Sequence, residues 1–168
     1  MVEGARIHYR GARQGLFRLA AWFILILREN LKRFSSSVVI NSPPEKVFSL
    51  VKDLEEWPRW IPSIKNIERC SDGPLGPGSQ VRVAARFGIT VTLLMTVIEF
   101  IPEKRVLMQG KVLGTEMKRY YNLEPAEGGT RLTAGGEVSG VLSFLVRRGG
   151  QRVSEDIVQA AKRRLESP

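Results

Sequence analysis

The polar residues best placed for chemistry lie on one alternating stretch, residues 115–123. If Met117, Tyr121 and Leu123 face a core, a period of two puts Arg119 among them. The same reasoning carries Glu99 onto the face shared by Ile89, Val91, Leu93, Met95 and Val97. Arg119 would then meet a ligand carboxylate, phosphate or carbonyl, with Tyr121 as a second donor and Glu99 as a counter-charge. The plainer reading is that Arg119 reaches solvent or pairs internally, and that Glu99 is wet beside a turn. No catalytic set emerges. His8 is the single histidine and sits in a basic N-terminal stretch, so neither a nucleophilic triad nor a His-containing metal site is available. Carboxylates do not cluster, and no glycine-rich phosphate loop opens a helix. No metal and no cofactor are expected. Cys70, the lone cysteine, excludes an intramolecular disulfide and reads as structural, which favours a reducing, cytoplasmic compartment.

The elements that must position these residues are legible from pattern. Val38, Val39 and Ile40 suit a strand, and Asn41-Ser42-Pro43-Pro44 ends it. A helix follows, with Ser42 as expected N-cap, Glu45 in its first turn and Val47, Phe48, Leu50, Val51 and Leu54 as its apolar face. Turn residues 71–78 precede a meander. Val81, Val83, Ala85 and Phe87 alternate with polar positions, Gly88 turns, residues 89–97 form a long strand, and further strands cover 106–109, 115–123 and 130–138. Val153, Ile157, Ala160, Ala161 and Leu165 then give a C-terminal helix one apolar face. Gly149 and Gly150 cost such a helix about 2 kcal/mol relative to alanines, so a break or kink is expected there. The pattern is that of an antiparallel α+β domain.

The chain carries +9, but the charge belongs to its ends. Residues 1–34 hold +5, residues 142–168 hold +3, and the 107 residues between them only +1. The meander lacks the basic surface that a phosphate backbone needs, so nucleic acid is not an expected partner. Residues 1–34 are read as a separate basic, hydrophobic helix ahead of a domain at 35–168. Its apolar run, Leu19 to Leu27, is short for a bilayer span of about twenty residues. Three readings stand: an interfacial membrane helix, a partner-binding or dimerising helix, or a helix packed on its own domain. Trp22, Phe23, Arg28, Lys32 and Arg33 would make the membrane or partner contact, which would place the protein on the inner face of a membrane.

Residues 38–68 carry a resemblance. A strand, a helix and then Asp53-Leu54-Glu55-Glu56-Trp57-Pro58-Arg59-Trp60 resemble the start of the START-like, or SRPBCC, superfamily, particularly its polyketide cyclase/dehydrase and coenzyme Q-binding branches. The resemblance covers residues 36–166. It implies a helix-grip fold, a curved antiparallel sheet around a long C-terminal helix with a cavity between them. Phe87, Met95, Met108, Met117, Arg119, Tyr121 and Val153 are the expected ligand-binding residues, and Gly149 and Gly150 would gate entry. The leading expectation is binding, and delivery, of a hydrophobic molecule such as a lipid or quinone near a membrane surface. The alternatives are an aromatase/cyclase-type enzyme and a membrane-recruited adaptor. The same scaffold serves many ligands, so fold alone does not decide among them.

Overall fold

The structure is a computed structural model that describes residues 31–167. A seven-stranded antiparallel sheet in the order β1-β7-β6-β5-β4-β3-β2 curves around one long helix. The strands are β1 (Lys32–Ile40), β2 (Ile64–Arg69), β3 (Gln80–Phe87), β4 (Ile89–Ile101), β5 (Arg105–Val112), β6 (Thr115–Ala126) and β7 (Gly129–Ser139). Helix α1 (Pro44–Lys52) and a 3-10 helix (Leu54–Arg59) connect β1 to β2, and α2 (Ser143–Glu166) follows β7. This is the expected helix-grip arrangement. Strand β1 starts at Lys32, so residues 32–34 belong to the sheet and not to the N-terminal segment. Strand β2 was not anticipated, because Ile64-Lys65-Asn66-Ile67 breaks strict alternation, and its pairing with β3 slips between Ile64 and Asn66. The cap of α1 is Pro43, not Ser42, which is buried and whose carbonyl accepts the Thr130 hydroxyl at 2.8 Å.

The core lies between the concave face of the sheet and α2. Period-two burial on β4 and β6 sends Val91, Leu93, Met95 and Val97, and Met117, Arg119, Tyr121 and Leu123, to that face. Ile89 shares their parity but projects past the helix and is 65% exposed.

Helix α2 runs unbroken through Gly149 and Gly150, contrary to the expected break. Both glycines are buried, and a Cβ on Gly150 would lie 2.6 Å from Cζ of Phe34. A Cβ on Gly136 of β7 would come within 2.7 Å of the same ring atom. The Phe34 ring therefore occupies space that two missing side chains leave open, one on the sheet and one on the helix. Packing overrides the low helical propensity of glycine here.

Along its length α2 is fastened to β1, an outer strand with one unpaired edge. Arg147 Nε donates to the carbonyl of Arg33 at 3.0 Å, and Gln151 exchanges hydrogen bonds with the carbonyl and N–H of Ser35. Lys162 donates to the carbonyl of Val39 at 2.7 Å, and the Asn41 N–H donates to Glu166 at 2.7 Å. The edge groups are thus satisfied by helix side chains.

Three stability measurements follow. Gly150→Ala should lose about 1–3 kcal/mol in urea unfolding through overpacking, despite better helix propensity. Adding Phe34→Leu should return part of that loss. Leu113 holds a left-handed backbone (φ 49°) ahead of Gly114 (φ 71°), a turn that favours asparagine, so Leu113→Asn should gain about 1 kcal/mol. The Asn41 N–H, and secondly the Lys162 ammonium, hold the Glu166 pKa below its ordinary value. That stabilisation is present above the unfolded carboxylate pKa of about 4.3 and is lost as pH falls through the lower folded value. Wild type should therefore melt above Glu166→Gln at neutral pH, and the gap should close in acid.

Candidate ligand cavity

Beneath the first half of α2 lies an enclosed cavity of about 50 Å³. Its wall is apolar except at one place. Met95 from β4, Met108 from β5, Met117, Arg119 and Tyr121 from β6, and Val153 from α2 all line it. The side chain of Phe87 lies outside those described.

Arg119 is the polar exception. It is 8% exposed, because strand periodicity places it between Met117 and Tyr121 under the helix. Its Nη2 donates to Ser154 Oγ at 3.0 Å, and its Nε donates to the Tyr121 hydroxyl at 3.3 Å. The Ser154 hydroxyl in turn donates a hydrogen bond to the Gly150 carbonyl at 2.9 Å. The guanidinium lies 5.4 Å from the Phe34 ring centre and 5.9 Å from that of Tyr121. Tyr121 is in turn held by Trp57, edge to face, at 5.1 Å. Among the described residues, no carboxylate comes within 4.0 Å of Arg119. All its identified partners are neutral. The site therefore presents a fixed positive charge, and a phenol already accepting from it, on an otherwise greasy wall.

Glu99 is not the counter-charge. The β4–β5 register slips between Val97 and Glu99, and this irregularity reverses the facing of the strand. Phe100 turns inward and meets Phe48 at 5.4 Å between ring centres, while Glu99 turns out and pairs with Arg105 at 3.0 Å. Strict alternation failed by one residue. Gly149 and Gly150 do not form a break that could gate the cavity, because they lie inside a continuous helix; Gly150 lines the cavity and Gly149 does not.

Trp22, Phe23 and Arg28 fall outside the described residues. Lys32 and Arg33, expected to make the same contact, lie in β1, where Arg33 pairs with Glu137 at 2.8 Å. The residues missed from sequence are Ser154, Phe34 and Trp57. Ser154 could have been found, since it is in phase with Ile157 and Ala161 on the buried face of α2. Phe34 falls at the end of the segment 1–34 on the sequence reading, and nothing local marks it.

Comparisons with known proteins agree with this fold. The family described as "Polyketide cyclase / dehydrase and lipid transport" matches residues 31–166. Zhui aromatase/cyclase from Streptomyces sp. R1128 superposes with a TM-score of 0.70 at 13% identity, covering 82% of this chain and 97% of that one. A START superfamily protein from Mycobacterium smegmatis gives 0.67 at 19% identity, covering 80% and 97%. The two-domain aromatase/cyclase StfQ of the steffimycin biosynthetic pathway gives 0.72 at 14% identity, covering 99% of this chain and 63% of that one. At these identities the structural likeness establishes the fold alone. The search of curated proteins found no match. With the family matched across the whole helix-grip domain, the chain belongs to the polyketide cyclase/dehydrase and lipid transport family, and its fold is START-like.

Proposed function

We propose that the protein binds a small, mostly apolar molecule carrying one acidic or carbonyl head group, with the head on Arg119 and the body among Met95, Met108 and Met117. The observation that carries this reading is a guanidinium more than nine-tenths buried against an apolar cavity, with neutral partners and no identified carboxylate. Burying an uncompensated charge opposes folding, and a well-packed apolar side chain of similar size would serve the core as well or better. Retention of such a group fits a site that is completed by its ligand.

Size restricts the ligand or requires the wall to move. At about 50 Å³ the cavity has room for a few water molecules, against roughly 300–1,000 Å³ for ordinary ligand pockets. Three of its walls are methionines, whose unbranched side chains swing aside at low cost. A lipid- or quinone-like ligand would enter by displacing them. An aromatase/cyclase-type reaction is the second reading, favoured by the aromatase/cyclases among the structural neighbours. Aldol closure needs a proton acceptor beside the reacting carbon. Among the described lining residues there is no carboxylate, histidine or thiol, which favours binding over turnover.

The test uses a matched pair of probes, octanoate and octanol, titrated calorimetrically into the full chain. Arg119→Met should weaken octanoate roughly tenfold to a hundredfold, the value of a charge-assisted hydrogen bond, and leave octanol nearly unchanged. The same variant should melt no lower than wild type. Equal loss of both probes, or a strongly destabilised variant, would make Arg119 a structural residue.

A further inference from the structure

Sheet register brings several chain reversals to one end of the domain. The start of β1, the β3–β4 tip at Gly88, the β5–β6 tip at Leu113-Gly114 and the β7–α2 connection all lie there, because Lys32 pairs with Val138, Glu116 with both Lys111 and Ser139, and Phe87 with Ile89. This end is apolar. Of the nine large hydrophobic side chains exposed among the described residues, six are here: Leu31 (46%), Ile89 (65%), Leu113 (50%), Val141 (79%), Phe144 (62%) and Leu145 (51%). Leu113 is exposed in a backbone conformation that disfavours it, so the turn bears two penalties for keeping leucine. Cavity and tips adjoin. Val112 and Val146 line the cavity, while their neighbours Leu113 and Leu145 face outward.

The same end is basic. Lys65, Arg86 and Arg152 line a groove beside Gly88 with Asp156 as its one acid, and Arg147 and Arg148 follow Leu145 on α2. Glu116 and Glu137 also lie at this end, paired with Lys111 and Arg33. At the opposite end, a groove carries Glu45, Asp53, Glu55, Glu56 and Glu103 against Lys52 and Arg69. The two grooves are therefore opposite in charge, with Lys162, Arg163 and Arg164 closing α2 at the acidic end, and the exposed apolar side chains lie at the pole of the basic groove. The chain also enters at this pole, through Leu31, after a segment whose sequence joins an apolar run to Arg18 and Arg28.

We infer that this pole seats on an anionic lipid surface, with Ile89, Leu113, Val141, Phe144 and Leu145 reaching into the interface and the surrounding cations on the headgroups. An anionic bilayer satisfies both features at once, since apolar tips need a nonaqueous neighbour and the cations need negative charge. The basic N-terminal segment is a poorer cover, because it would bring more positive charge to the pole of the basic groove. This inference does not depend on what the cavity holds.

Flotation of the full chain with phosphatidylcholine vesicles, with and without phosphatidylglycerol, tests it. Wild type should associate with the anionic vesicles and release as salt rises. The triple variant Leu113→Asn, Val141→Ser, Phe144→Ser changes exposed positions, and its fold is checked by thermal melting. It should lose roughly tenfold or more in partitioning while keeping its N-terminal segment. Arg86→Glu with Arg148→Glu should give a similar loss and a shallower salt dependence. Unchanged partitioning of the triple variant would overturn the inference and assign binding to residues 1–30. Equal binding of wild type to both vesicle types would overturn it too. So would a triple variant that converts a dimer to a monomer, or one that exposes Arg18 and Arg28 to trypsin without lipid, since a second copy or the chain's own segment would then cover the tips.

Discussion

The packing of one aromatic ring sets the distance between helix and sheet. Phe34 projects from the outer strand β1 into a slot with Gly136 on one side and Gly150 on the other. Because neither glycine has a side chain, α2 settles close enough for Ser154 to reach Arg119. Phe34 also offers its ring to the guanidinium, so the contact that seats the helix contributes to holding the buried charge. A larger residue at either glycine would lift α2, lengthen the Arg119–Ser154 bond and change the cavity roof. Core packing and site geometry are one constraint here.

Much of the fold could be read from the sequence because its long elements obey their periods. Strands β4 and β6 alternate cleanly over Val91 to Val97 and Met117 to Leu123, and that alternation alone puts Met95, Met117, Arg119 and Tyr121 on the concave face. The Trp57-Pro58-Arg59-Trp60 turn supplied the family. Failure came where tertiary contacts outweighed a local rule. One slipped residue near Glu99 reversed the end of β4, a change invisible to a period-two count. Gly149-Gly150 has the composition of a break and the structure of a helix, because Phe34, more than a hundred residues away, requires the space. Ser154 was legible but overlooked, since a single polar residue on an apolar helical face draws less notice than its neighbours.

Glu99 faces outward to Arg105 and contributes nothing to the cavity wall. The polar part of that wall is a permanent cation and a phenol, the cation backed by Ser154, which itself donates to a helix carbonyl, with apolar groups around them. A ligand of the kind proposed would be selected there by charge and shape. The adaptable methionine wall relaxes the demand on shape, and the fixed guanidinium keeps the demand on charge.

The bonds from α2 to β1 are distributed unevenly around the helix. Arg147, Gln151 and Lys162 all reach the same strand and Glu166 the Asn41 N–H just past its end, along nearly the whole length of the helix. Toward β2 and β3 there is no comparable series of side-chain bonds among the described residues. A helix fastened in this way is hinged along its long side, like a door, if it moves at all. Rotation about the β1 seam would separate Val146 and Val153 from Ile64 and Ala85 without breaking a backbone hydrogen bond. The cavity would then widen as a slit between α2 and β3, which lets a bulky guest in while the helix stays intact.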